Sequence, residues 1–285
     1  MKNANTKSRA SSVSKLRARL LKSWAEVSAL AASLLFIGLL TGCPHNQPSA
    51  VDQPPAKPVD PAAILKTDGH GKITGYKCAK EELPAHLVIP AKIGDEEIKE
   101  IGWNAFEDCT GLTSISLPAS LTEISSSAFS DCTGLTSISL PASLTTIGEG
   151  AFEGCKSLTS ITLPANLTKI DKYTFSDCTG LTSITLPANL TQIGEYAFYD
   201  CKGLTSVHLP ASLTTIDQYA FYGCGGLASA VFEDKNYWKV YDDDSYSGTS
   251  TSINSSDLDN AATAAEYLRE ETGEGGYCDK YWKKN

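Results

Sequence analysis

Six cysteines, Cys109, Cys132, Cys155, Cys178, Cys201 and Cys224, follow one another at intervals of 23 residues. Between them one phrase keeps returning. It runs Leu112-Thr113-Ser114-Ile115-Ser116-Leu117-Pro118, then Leu121 and Ile124, then Ala128-Phe129, then Cys132. The phrase restarts at Leu135, Leu158, Leu181 and Leu204, with Pro141, Pro164, Pro187 and Pro210 in register. A copy this short cannot enclose a core; it has one apolar face and must lay it against the next copy. The period thus restricts the chain to a stack of similar coils.

The L-x-x-I-x-L spacing within a period of 20 to 29 residues is the mark of a leucine-rich repeat solenoid. The expected fold is mostly β, right-handed and curved, with stacked parallel strands, short helical or 3-10 turns and a small C-terminal α-helical cap. Strands pair about 4.8 Å apart, so six to seven coils make a body roughly 30 Å tall. Pro118 and its equivalents have no N–H for the ladder and end the strand. Leu121 and Ile124 line the return side, and Ala128-Phe129 occupies the turn with its ring between layers. Residues 72–76 and 87–90 read as capping strands. The interval from Pro90 to Pro118 is 28 residues, so residues 91–97 are expected to bulge as a loop. After Leu227 the pattern decays: Ala230 replaces the column's Ile or Val and Glu233 its proline. Beyond residue 232 come a polar loop (241–259), a helix over 260–271 with Asp257 or Asp259 as N-cap, and Tyr237, Trp238, Tyr277, Tyr281 and Trp282 to pack over the last coil.

These cysteine- and phenylalanine-bearing repeats resemble those of the treponemal and BspA-type bacterial surface proteins, and the C-terminal Ala-Ala-Glu-Tyr-Leu and Cys-Asp-Lys-Tyr-Trp segments are similar to treponemal tails. The resemblance covers roughly residues 64–232. It implies a non-enzymatic surface protein, an adhesin or surface antigen binding host extracellular matrix or other cells. The division of the chain is then a leader (1–42), a proline-rich tether (43–63), N-terminal capping strands with a first irregular repeat (64–108), regular repeats (109–232) and a C-terminal cap (233–285).

The leader has Lys2, Lys7, Arg9, Lys15, Arg17, Arg19 and Lys22 ahead of an uncharged run from Val27 to Leu40. Those are the n- and h-regions of a secretory signal, too short for a spanning helix of about 20 apolar residues. Leu40-Thr41-Gly42-Cys43 resembles a bacterial lipobox, which implies a covalent lipid on Cys43; an ordinary cleavable leader with an incidental cysteine is the alternative. No other cofactor is expected. Discarding seven bases and one acid takes the net charge from −9 to −15. So acidic a body argues against nucleic acid and leaves the lipid as the membrane contact. Pro44, Pro48, Pro54, Pro55, Pro58 and Pro61 make the next segment an extended spacer.

The cysteine column reads as structural: one position per coil, filled by a small apolar thiol. Parallel in-register side chains suit a disulfide torsion poorly, and no C-x-x-C or histidine partner accompanies them for metal binding. Cys78 and Cys278 lie outside the column. No catalytic residue is assigned. His45, His70, His86 and His208 are scattered, and no G-x-S-x-G, P-loop or H-E-x-x-H is present. Asp242-Asp243-Asp244 lacks the alternation of a calcium loop. Thr113, Thr136, Thr159, Thr182 and Thr205 form a hydroxyl column explained by β-propensity.

One column departs from the structural pattern. It runs Asn104, Ser127, Gly150, Tyr173, Tyr196, Tyr219, with Tyr199 and Tyr222 in a neighbouring column. The core does not require tyrosine where it accepts Ser or Gly. Tyrosine is enriched at protein interfaces, so this stripe is the candidate protein-binding surface; solvent-facing rings covering a turn are the alternative. The expected location is the bacterial envelope, on the outer membrane facing outward, with a periplasm-facing scaffold as the second reading. Cys43→Ala is expected to move the protein from the detergent phase to the aqueous phase on phase partition of whole cells; a variant still in the detergent phase contradicts the lipid site.

Overall fold

The computed structural model describes residues 60–270 and 276–285. The leader, Cys43 and the tether up to residue 59 lie outside the described residues. The described residues form one compact unit.

The described chain opens with a short helix, α1 (Pro61–Ile64), and the hairpin β1 (Leu65–Thr67) and β2 (Lys72–Tyr76). The first irregular coil contains β3 (His86–Val88), β4 (Lys92–Ile93), β5 (Glu96–Glu97) and β6 (Glu100–Ile101). Each later coil adds two strands: β7 (Ser114–Ser116) with β8 (Glu123–Ile124), β9 (Ser137–Ser139) with β10 (Thr146–Ile147), and β11 (Ser160–Thr162) with β12 (Lys169–Ile170). Then come β13 (Ser183–Thr185) with β14 (Gln192–Ile193), and β15 (Ser206–Leu209) with β16 (Thr215–Ile216). The chain ends with β17 (Ser229–Phe232), β18 (Trp238–Tyr241), β19 (Ser250–Ser252), helices α2 (Ser255–Asp259) and α3 (Ala261–Arg269), and β20 (Tyr281–Lys284).

This is a parallel β-solenoid of the leucine-rich repeat kind. Pairing is in register at one period: Ile115 lies beside Ile138, Ile161 beside Ile184, and Val207 beside Ala230. The second strands pair likewise, Ile101 with Ile124 and Ile170 with Ile193. The Leu, Ile, Ala, Phe and Cys columns form one continuous core. Down its centre Phe106, Phe129, Phe152, Phe175, Phe198 and Phe221 stack with centroids 5.0 to 5.6 Å apart.

The turn side carries a third hydrogen-bonded column. Phe129 N–H donates to Ala151 O and Phe152 N–H to Thr174 O, each at 2.9 Å. Within a coil these segments contain i→i+3 bonds, such as Ser130 N–H to Ser127 O at 3.1 Å. They do not extend into helices, because residues four apart take positive φ: Ser127 and Asp131 at 53°, Tyr196 at 56° and Asp200 at 54°. A left-handed residue turns the chain out of the helical path.

Both strand ladders lapse between β9 and β11 and between β10 and β12, and the first lapses again between β13 and β15, while the turn column continues across both levels. The coil beyond the first gap is the one whose alanine column holds Thr174, 1% exposed, where other coils have Ala151 or Ala197. Thr174 Oγ1 is satisfied locally, donating to Asp171 O at 2.8 Å.

Three expectations are corrected at the ends. Residues 91–97 form the antiparallel hairpin of β4 and β5 rather than a loop, since Gly94 at φ 61° supplies a tight turn. The C-terminal helix is two helices. The N-cap of α3 is Asn260, whose side chain accepts from Ala262 and Thr263 N–H; that of α2 is Asn254; neither aspartate caps. Tyr237 is 73% exposed and does not pack over the last coil, whereas Trp238 and Trp282 are buried there against Phe232. Strand β20 joins β16 and β18 antiparallel, closing the edge of the second sheet, and α3 packs against β17.

Replacing a mid-stack phenylalanine leaves a cavity bordered by two rings. Phe152→Ala is expected to lower stability by about 3–5 kcal/mol, read as a fall in denaturation midpoint; a loss below about 1 kcal/mol would contradict the central role of the ring stack.

Candidate functional site

Tyr173, Tyr196 and Tyr219 are brought into a second ring ladder, outside the core. Tyr173 lies on Tyr196 at 5.0 Å with planes 2° apart, and Tyr196 on Tyr219 at 5.1 Å and 13°. Tyr199 meets Tyr196 edge-on at 5.5 Å and follows Tyr222 at 5.7 Å; Tyr222 meets Tyr219 edge-on at 5.8 Å. All five rings are half-buried.

The backbone at these positions sharpens the argument. Asn104, Ser127 and Gly150 have φ of 53°, 53° and 61°, and Tyr173, Tyr196 and Tyr219 have 56°, 56° and 57°. Left-handed backbone costs an ordinary L-residue about 1–2 kcal/mol, and a bulky residue there is an outlier. Stacking returns about 0.5–1.5 kcal/mol per pair. The tyrosines are therefore set against the backbone's preference for Gly or Asn, the kind of local conflict that gathers at functional sites.

The cysteine column lies inside. Cys132, Cys155, Cys178, Cys201 and Cys224 are fully buried, and Cys109 nearly so. Each thiol from Cys132 to Cys224 donates to the phenylalanine carbonyl of the preceding coil at 3.0 to 3.2 Å, as Cys155 does to Phe129 O. Burial pushes the Cys155 thiol up to about 12 and the Cys178 thiol well above its ordinary value. The nucleophilic form is the thiolate, so Cys155 and Cys178 are chemically quiet. Cys78 and Cys278 are free thiols as well.

The hydroxyl columns are spent on neighbouring backbone. Thr136 Oγ1 donates to Thr113 O and Thr182 Oγ1 to Thr159 O, each at 3.1 Å. Thr191 and Thr214 do the same on the second sheet at 3.0 Å. A cavity of about 490 Å³ opens where the first sheet parts, lined by Ser137, Ser139, Leu140, Ser160, Thr162 and Pro164 among others, with no titratable side chain. No group of three His, Cys, Asp or Glu among the described residues is placed to hold a metal. His86 Nδ1 lies 2.7 Å from Ser114 Oγ, a pair hidden in the sequence by the irregular first repeat. His208 Nε2 lies 2.8 Å from Glu233, both exposed.

Beside the tyrosine ladder the C-terminal segment folds onto the second sheet. Tyr246 O–H donates to Asp217 Oδ1 at 3.2 Å, Gln192 Nε2 donates to Asp217 Oδ2 at 3.1 Å, and Lys283 Nζ sits 4.3 Å above the Tyr246 ring. Burial raises the Asp217 carboxyl above its ordinary value, the two hydrogen bonds pulling the other way.

The profile described as "BspA type Leucine rich repeat region" matches residues 99–228 in six copies. The crystal structure of a T. pallidum leucine-rich repeat protein is similar at 32% identity with a TM-score of 0.53, over 64% of this chain and 84% of that one. The chain belongs to the BspA-type leucine-rich repeat family. A leucine-rich cell surface protein of Faecalibacterium prausnitzii is 29% identical over 66% of this chain, with a TM-score of 0.48; the chain spans 57% of that protein. No curated protein matches. The BspA-type repeat is a binding scaffold that offers protein partners a face several coils long. In this family member, tyrosine replaces Asn, Ser or Gly at the left-handed position only in the last three regular coils.

A raised carboxyl favours the protonated form in the folded state, so its stabilising contribution is complete below the unfolded pKa of about 3.9 and is lost as pH rises through the folded value. Asp217→Asn removes the titration while leaving one acceptor oxygen for the two donors. The stability of the variant relative to the parent is expected to improve as pH rises above the ordinary carboxylate value of about 3.9, measured by denaturant midpoints; a pH-independent difference would show that Asp217 is not perturbed.

Proposed function

We propose that this is a non-enzymatic, lipid-anchored bacterial surface protein whose repeat body binds a protein partner through the tyrosine ladder, serving adhesion to host extracellular matrix or to other cells. The observation that carries the reading is the ladder itself: three stacked tyrosines held at φ of 56° to 57°, where the fold is served by Asn or Gly. Large, rigid rings bring contact area with few rotatable bonds, as interface hot spots do.

Other features agree with it. The column cysteines from Cys132 to Cys224 are buried and hydrogen-bonded, and the cavity between Ser137 and Pro164 is lined by no acid or base, which agrees with a binding role. The lipobox-like Leu40 to Cys43 and the proline-rich spacer support an anchored body held off the membrane. Family membership implies a place in the bacterial envelope.

Tyr173, Tyr196 and Tyr219 changed together to Ser are expected to leave the circular dichroism unchanged and to cut binding of the chain to immobilised matrix proteins or partner cells by about tenfold or more. Unchanged binding rejects the ladder as the contact. Proteinase treatment of intact cells tests the location: a body cleaved only after lysis rejects surface display.

A further inference from the structure

The tyrosine ladder has an open end. Tyr196 covers one face of the Tyr173 ring; among the described residues no ring stacks on the other. The next coil towards the N-terminus has Gly150 at the equivalent position, and the two before it have Ser127 and Asn104. These small residues make a shallow floor. A Cβ at Gly150 would stand 3.1 Å from Glu153 Oε2 and 3.5 Å from Ser127 Oγ, so the Glu153 carboxylate leans over that floor.

The far end of the floor is marked by a second aromatic. Trp103, one position before Asn104, is 70% exposed, one of four large hydrophobic side chains left open among the described residues. Three coil steps separate Trp103 from the level of Tyr173, about 14 Å at the usual strand spacing. That is the reach of about four extended residues.

The charge around the floor is mostly acidic. Asp131, Glu149, Glu153 and Asp177 take part in none of the ion pairs formed among the described residues. Glu153 is held above its ordinary carboxyl range by burial and then by Asp131, Asp177 and Glu149. Lys172, beside Tyr173, is engaged by Glu195 at 2.8 Å. The ring face is thus bordered by carboxylates that form no close ion pair, Lys172 reaching Glu149 only at longer range, and a ring face attracts cations.

We propose that the surface between Trp103 and Tyr173 docks an extended basic segment of a partner protein, with a lysine or arginine side chain laid on the open face of Tyr173 between Glu149 and Glu153. The inference rests on the tyrosine ladder being the binding surface and adds the partner's chemistry. Electrostatic complementarity of this kind sets specificity and association rate.

The test uses the full chain and three labelled heptapeptides in which glycine alternates with lysine, glutamine or glutamate, followed by fluorescence anisotropy at low salt. The lysine peptide is expected to bind, and the other two to bind at least tenfold more weakly. Glu149→Gln with Glu153→Gln is expected to weaken the lysine peptide about tenfold. Tyr173→Asn, which suits the left-handed backbone as Asn104 does, is expected to weaken it about fivefold with the melting temperature preserved. Equal binding of the glutamine peptide, or no effect of the glutamate variants, overturns the basic-segment proposal even if the triple tyrosine change abolishes adhesion. Adhesion that survives the triple change while the lysine peptide behaves as expected rejects the ladder as the adhesive surface and leaves the cation site standing.

Discussion

Everything in this fold hangs on each coil being a copy of the next in register. The phenylalanine carbonyl shows the constraint at atomic scale. Phe129 O accepts the Cys132 N–H of its own coil at 3.2 Å and the Cys155 thiol of the next coil, also at 3.2 Å. One buried acceptor is satisfied by two coils at once, which holds the turn and spaces the layers. A shift of one residue would expose the Ile and Leu columns and orphan these carbonyls together. The ring stack and the strand ladders reinforce the same register.

The repeat, its Leu and Ile core columns and the buried cysteines were legible because a period of 23 prints each structural position several times. Features that break the period were not. His86 pairs with Ser114, 28 residues on, so column arithmetic hides their contact. The hairpin at Gly94, residues 92–97, takes up the excess of the first repeat over the period. Strands of two residues, such as Lys169-Ile170, are too short for alternation to mark, and the second ladder was seen only as an apolar pair. Two signals were present and unread. Asn and Gly in one column, and Asp and Gly in another, announce left-handed backbone. Thr174 in a column of alanines marks the level at which both ladders part.

The candidate surface was half legible. Counting positions located the tyrosines and showed that the core did not ask for them. What sequence could not supply is their conformation, which turns a compositional oddity into a physical conflict, and their neighbours. Trp103 and Glu153 come near the ladder's end because each coil of 23 residues advances the stack by only about 4.8 Å. A solenoid converts distance along the chain into distance along an axis at a fixed rate, so a surface is composed by choosing the same letter in successive lines.

The caps lend the stack a freedom that closed domains lack. The hairpin of β1 and β2 meets only the first coil, and β20 with α3 meets only the last coils. A duplication of 23 residues between β14 and β16 would add one member to every ladder, the tyrosine ladder included, and present both caps with the surfaces they already cover. Reach and valency of the aromatic face can therefore grow by gene duplication, with no new interface to be invented and no old one broken.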